Sequence, residues 1–308
     1  MAVLSELRYP TTNLTKLLSA LIALVLFGVV ALAVVCGVLI YQIVKPARNP
    51  ASFDLSVMMG RPTAFAFKVP TGVQREGWFF PGLRGAPTII VSHGYLSQRA
   101  DVLTLAAALQ EHEFNAFVFD YTGQGSSPGI TSLGYREVAE LQAAVQAIAS
   151  RDDVDPKHFG LWGVDLGAYT SLAVAEVDRR IAAVAVDSVY DSPREMLRIQ
   201  VSDSGLSGLP FVGRASDFGF RMLNYEYRKT PLLSTGLEPL RSVPKLFIAS
   251  SDKPALVAST GRIFALAPDP KQMIPARVSY RDMPDDERKA YENLIVTFFI
   301  QYIPPEPR

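Results

Sequence analysis

Hydrophobic positions in this chain fall into two regimes. Between Leu17 and Val44 no charged residue occurs in twenty-eight positions, which are mostly Leu, Val, Ile and Ala. A helix needs about 20 apolar residues to cross the hydrocarbon core, so this stretch predicts a transmembrane helix with room for tilt. A secretory signal has an apolar region of only roughly 7–15 residues and a small-residue cleavage site. No such site precedes Lys45, and bulky Val35 argues against lipoprotein processing at Cys36. Basic residues flank both ends, Arg8 and Lys16 before the stretch and Lys45, Arg48 and Arg61 after it, so the flanks do not set an orientation.

Past residue 61 the regime changes. Short apolar runs at residues 88–92, 116–120, 159–162, 181–186, 245–249 and 273–279 read as strands. Helical stretches separate several of them. Val138, Leu141, Val145 and Ile148, for example, share one face of a helix. Near-continuous apolar strands between amphipathic helices predict a mostly parallel sheet covered on both faces, an α/β fold. Residues 63–80 read as an antiparallel hairpin turning at Thr71 and Gly72. About fifty residues from Tyr190 to Val243 interrupt the alternation, and a connection of that length is usually functional or separately folded. The expected organisation is a flank (1–16), a membrane helix (17–44), a linker (45–61, with two prolines), one domain (62–303) with an inserted lid (190–243), and a short tail (304–308).

Composition narrows the function classes. With 30 basic and 30 acidic residues and 49% hydrophobic side chains, the chain is neither disordered nor a polycationic nucleic-acid binder. The single cysteine, Cys36, excludes disulfide scaffolds and cysteine-based zinc clusters, and no metal or other cofactor is expected. The three histidines are His93, His112 and His158, and none lies in the last 150 residues.

The most informative phrase runs from Phe159 to Tyr169, where an apolar strand enters Gly163-Val-Asp165-Leu-Gly167 and then a helix expected over residues 169–176. Glycines at both ends of such a pentapeptide permit a sharp strand-to-helix turn that projects the central side chain above the sheet. Ser92-His93-Gly94-Tyr95 follows the first long strand and Asp120-Tyr121-Thr122-Gly123-Gln124-Gly125-Ser126 the next. In this order the three phrases resemble the α/β-hydrolase superfamily, above all its membrane-associated serine-hydrolase and serine-aminopeptidase-like branch, over roughly residues 62–303. The resemblance implies an α/β-hydrolase fold with a lid, an elbow nucleophile at position 165, and an oxyanion hole built from the backbone N–H groups of Tyr95 and Leu166.

The same resemblance exposes three departures. The elbow carries Asp165 where the family usually has serine. The family's histidine, expected after the last strand, is matched by Tyr280 or Arg281, and its acid by Lys253 with Asp252 adjacent as the possible acid position. A serine hydroxyl needs a base to take its proton, and an aspartyl ester needs an activated water for its release. Relatives that attack epoxides or halides through aspartate still rely on a histidine, and none follows Asp165 here. A carboxylate beside the N–H groups of a helix start is itself stabilised there. Asp165 is therefore expected to occupy the oxyanion hole.

His93 is expected to shape the turn presenting Tyr95, His112 and His158 to lie at the surface, and Asp120 to cap the turn after its strand. Tyr190, Tyr225 and Tyr227 are expected chiefly to pack the lid itself, and Arg194, Arg198, Arg214, Arg221 and Arg228 to form a solvated face. The expected protein is membrane-anchored through Leu17 to Val44 and has lost Ser-His-Asp catalysis. It would act by binding a small acyl or lipid ligand or a protein partner, not nucleic acid. The alternative is a hydrolase of an ester, amide or epoxide that uses Asp165 by another route.

Overall fold

The computed structural model describes residues 12–48, 50, 60–209 and 211–306. Residues 1–11 of the expected flank, 49 and 51–59 of the linker, and 307–308 of the tail lie outside the described residues.

The apolar N-terminal stretch is one helix, α1 (Asn13–Val44), four residues longer at its start than the charge-free run. The extension follows from its cap: the Thr12 hydroxyl accepts from the Thr15 N–H and the Thr15 hydroxyl from the Thr12 N–H, at 3.3 and 3.1 Å. This helix is long and apolar enough to span a membrane. Its last turns are part of the globular core, with Cys36, Leu39, Ile40, Ile43 and Val44 all buried. The carbonyls that a helix end leaves unpaired find partners in that core. Ile43 accepts from the Tyr95 hydroxyl and Val44 from the Thr131 N–H, each at 2.8 Å.

Eight strands form one sheet in the order β1-β2-β4-β3-β5-β6-β7-β8. The hairpin β1 (Thr63–Lys68) and β2 (Gln74–Phe80) is antiparallel, and β2 meets β4 (Asn115–Phe119) antiparallel. The others, β3 (Thr88–Ser92), β5 (Phe159–Val164), β6 (Ile181–Asp187), β7 (Lys245–Ser250) and β8 (Lys271–Ala276), run parallel with β4. The apolar runs split with period two, because successive side chains point to opposite faces. Ile90, Phe117, Leu161 and Val184 meet α3 (Tyr135–Ala149), α4 (Leu166–Ala175) and the end of α1. Ile89, Val118, Trp162 and Ala183 meet α2 (Leu103–Glu111) and the C-terminal α8 (Asp285–Tyr302).

Among the described residues the interruption between β6 and β7 has no strand and carries α5 (Pro193–Asp203), α6 (Val212–Leu223) and four short 3-10 turns. A further helix, α7 (Pro254–Leu266), follows β7. Most strands end one or two residues away from the sequence expectation, and two further boundaries differ by three. The last strand spans Lys271–Ala276 rather than 273–279, because its neighbour β7 ends at Ser250, which pairs with Ala276. The helix expected at 169–176 starts at Leu166, because Asp165 caps it.

The sharp turn between β5 and α4 depends on glycine contacts. A Cβ at Gly163 would lie 2.2 Å from the backbone carbon of Gly167, and one at Gly167 would lie 2.2 Å from the Ser92 carbonyl oxygen. Neither obstacle is a flexible side chain. Gly163→Ala is expected to lower the unfolding free energy of the detergent-solubilised chain by about 3 kcal/mol, at the upper end of overpacking penalties, measured by chemical denaturation.

Candidate functional site at the turn between β5 and α4

Asp165 has φ 37° and ψ −96°, a left-handed conformation that holds about 1–3 kcal/mol of backbone strain for a non-glycine residue. The turn is fixed by its backbone: the Asp165 N–H donates to the Asp187 carbonyl and the Asp165 carbonyl accepts from the Tyr169 N–H, both at 2.9 Å. The side chain is thereby raised above the C-terminal edge of the sheet, where it is almost fully buried.

Its carboxylate is held from both sides. Oδ1 accepts from the Tyr95 N–H at 2.6 Å and from the Leu166 N–H of the same turn. Oδ2 faces the Lys253 ammonium at 3.6 Å. Gly94 is the floor of this pocket, since a Cβ there would lie 2.8 Å from Oδ2. The two amides expected to form an oxyanion hole thus converge on one carboxylate oxygen. Burial works against the charge on Lys253, yet Asp165, followed by Asp252, Asp187 and Asp282, holds its pKa above the ordinary lysine value.

Lys253 stands at the head of α7, just after β7, where the family pattern places an acid. Asp252 is beside it and accepts a 2.9 Å hydrogen bond from the Ser279 hydroxyl. The segments that would carry acid and histidine do come together, as a carboxylate and a hydroxyl. Tyr280 is buried and points elsewhere, its hydroxyl donating to Glu292 Oε1 at 2.6 Å. Arg281 reaches over the opening and donates to the Leu96 carbonyl.

None of the three histidines touches Asp165. His93 Nε2 accepts from the Tyr121 N–H at 3.2 Å, which assigns the proton to Nδ1, 2.8 Å from the Gly94 carbonyl. The ring therefore braces the turn that presents Tyr95. His112 ends α2 against the Ala108 carbonyl, and His158 pairs with Asp155 at 2.6 Å. Asp120 caps its turn, accepting from the Arg99 N–H at 2.7 Å and from the Ser126 N–H at 3.0 Å. Beneath the turn, the Tyr121 hydroxyl lies 2.8 Å from Ser92 Oγ and 2.9 Å from Thr170 Oγ1, tying β3 to α4.

Beside Asp165 lies a cavity of about 350 Å³. Its walls include Val102, Met196, Ile199 and Leu256, with Lys253 and Arg281 among the polar groups. The lid tyrosines are not part of it. Tyr190 stacks on Tyr169 at 5.2 Å, Tyr227 stacks on Tyr135 at 5.1 Å, and Tyr225 is exposed. The lid's contribution comes from α5 instead.

Asp187, one residue past the apolar face of β6, was not singled out by the sequence. It is fully buried, takes the Ser188 and Ser250 hydroxyls at 2.8 Å, and takes the Tyr291 hydroxyl at 3.1 Å. Burial pushes its carboxyl up to about 6, with the hydroxyl bonds and Lys253 pulling the other way. Its position at the C-terminal edge of a parallel strand, like that of Asp120, was the available signal.

A mostly parallel eight-stranded sheet with a strained residue between its fifth strand and the next helix, facing two converging amides, defines the α/β-hydrolase scaffold. The chain belongs to the alpha/beta hydrolase family, whose model matches residues 89–298. The uncharacterised protein YfhR of Escherichia coli O157:H7 is 27% identical over 250 residues, 78% of this chain and 81% of that protein. Polyketide transferase grgF of Penicillium sp. is 33% identical over 131 residues, 41% of this chain and 45% of that protein. Among solved structures, the esterase Pf2001 of Pyrococcus furiosus superimposes with a TM-score of 0.63 at 16% identity, covering 85% of this chain and 99% of that one.

Two outcomes follow from the electrostatics. Asp165→Ala leaves two buried amides and a half-buried ammonium without their acceptor, and is expected to destabilise by about 2–4 kcal/mol, more than Lys253→Met, in denaturant unfolding. Asp187 has an ordinary value of 3.8 and a folded value of about 6, so folding takes up a proton between those limits. Unfolding free energy therefore falls as pH rises across that window, by up to about 3 kcal/mol from this group. Asp187→Asn should remove that slope from denaturation curves collected between pH 4 and pH 6.

Proposed function

We propose that this protein is anchored in a membrane by α1 and uses its α/β-hydrolase scaffold to bind rather than to turn over. The observation that carries this reading is the hydrogen bonding of Asp165: its own Oδ1 takes the Tyr95 and Leu166 amides. A substrate oxyanion forming at that place would meet a fixed negative charge instead of free donors, which removes the largest electrostatic contribution to acyl transfer. The three histidines have partners elsewhere and the carboxylate's other neighbour is a lysine held in its charged form, so the turn lacks the imidazole base that acyl transfer relies on.

The cavity supports a ligand of small size. At about 350 Å³ it lies within the range of small-molecule sites, and it combines apolar walls with the Lys253 donor. An acyl or lipid-like molecule with an acceptor group suits that lining, its acceptor directed to Lys253 because the amides are taken. Adjacency to α1, whose Ile43 carbonyl holds the Tyr95 hydroxyl, would keep such a ligand close to the bilayer.

A second reading has one observation in its favour. Oδ2 of Asp165 accepts from neither amide, and Asp165 lines the cavity. An aspartate presented this way would open an epoxide: Oδ2 forms an ester bond to the ring carbon as the ring C–O bond breaks, the alkoxide takes a proton from the Lys253 ammonium, and release of the ester would lack its activated water. A single stoichiometric mass increase on Asp165, without turnover, would be its signature.

The purified full chain is expected to resist labelling by a serine-directed fluorophosphonate and to leave short p-nitrophenyl esters unhydrolysed. Asp165→Ser should not revive hydrolysis, because no imidazole is nearby. Sustained ester turnover by the unaltered protein that disappears in Asp165→Asn would overturn the binding reading.

A further inference from the structure

The lid packs against α1 through its helix α6. With α1 read as a membrane span, the length of α1 left bare sets where the bilayer lies. Side chains from residue 14 to residue 35 are mostly exposed, whereas the face beginning at Cys36 is buried in the domain. At 1.5 Å per residue those twenty-two residues measure about 33 Å, close to the roughly 30 Å of a hydrocarbon core. The bilayer boundary therefore falls near Cys36, and the domain sits directly on it.

Helix α6 packs at that boundary. Cys36 Sγ lies 3.8 Å from the Val212 carbonyl oxygen, and a Cβ at Gly219 would come within 2.7 Å of Ile40. Going from Val212 to Gly219 moves the contact up α1, so the N-terminal end of α6 is the end nearer the bilayer. One face of α6 is buried through Val212, Ser216 and Phe220. A different face carries Phe218 and Met222, at i and i+4 and 65 and 59% exposed, and Phe211, the residue just before the helix, is 66% exposed. Arg214 and Arg221 are exposed alongside this stripe, and Leu209 precedes it at 50%. An apolar stripe bordered by arginines is the pattern of helices that lie in the bilayer interface beside anionic headgroups.

The geometry points to α6 as an interfacial helix. Leu209, Phe211, Phe218 and Met222 enter the acyl boundary of the leaflet next to Cys36, and Arg214 and Arg221 contact anionic headgroups. Because α5 lines the cavity and is joined to α6 by residues 204–211, the cavity's lid then rests on the lipid surface.

The test uses the full chain with Cys36→Ala, reconstituted in phosphatidylcholine vesicles with or without phosphatidylglycerol. Single cysteines introduced by Phe218→Cys, Met222→Cys, Leu24→Cys and Lys157→Cys carry an environment-sensitive fluorophore, and lipids brominated along their acyl chains act as quencher. The expected result is a blue shift and loss of emission at 24, 218 and 222, with no change at 157. Quenching at 218 and 222 should be stronger with phosphatidylglycerol, a difference abolished by Arg214→Gln with Arg221→Gln. Quenching at 24 with unchanged emission at both 218 and 222 overturns the interfacial helix while leaving the span intact. Emission at 24 that brominated lipid does not alter overturns the span, and the interfacial helix with it. Equal quenching in the two vesicle types overturns the headgroup contacts of the arginines.

Discussion

A carboxylate at the start of a helix, facing two backbone amides that converge from different loops, is the interaction on which the rest of this site depends. Asp165 is held in a strained turn by the close approach of Gly163 and Gly167. Its position closes the gap between the β3 loop, which supplies the Tyr95 amide, and α4, which supplies the Leu166 amide. In the absence of an acceptor these buried donors would be unsatisfied, a deficit of about 1–3 kcal/mol each. Lys253 balances the charge and occupies the corner where an acid would orient a histidine. The carboxylate, the two amides and the ammonium form one arrangement, in which two of the departures from the family pattern, Asp165 and Lys253, meet.

Tyr95 extends this arrangement to the N-terminal helix. Its amide meets Asp165 and its hydroxyl meets the Ile43 carbonyl, so one residue joins the elbow to the last turn of α1. The final turns of α1 are packed as core, and α6 crosses them at Cys36 and Ile40. The helix end, the lid and the cavity are therefore mechanically continuous. A ligand in the cavity would sit a few residues from the end of α1, a placement that the linear order of the chain does not suggest.

The fold was legible because buried parallel strands leave a signature that survives without tertiary information. Residues 88–92 form the strand expected of them, and the hairpin at 63–80 forms with Gly72 at its turn, where φ is 80°. The Gly163-x-Asp165-x-Gly167 phrase located the elbow, because only glycine tolerates the close backbone approach on both sides. Boundaries set by partners were less visible. The last strand ends where β7 ends, and the start of α4 is set by a side-chain cap that hydrophobic periodicity does not register.

The sequence by itself determined the scaffold, the apolar N-terminal helix, the aspartate at the elbow and the absence of any histidine beyond it. These are properties of residue identity and local spacing, which the chain carries in one dimension. Tertiary structure decided which charges meet: Lys253 with Asp165, Asp252 with Ser279, and Asp187 with Ser250 and Tyr291. It also decided that the end of α1 is core and that α6 crosses it. Electrostatic pairing and burial depend on distances between elements far apart in sequence, and those distances are set only when the sheet and its helices pack together.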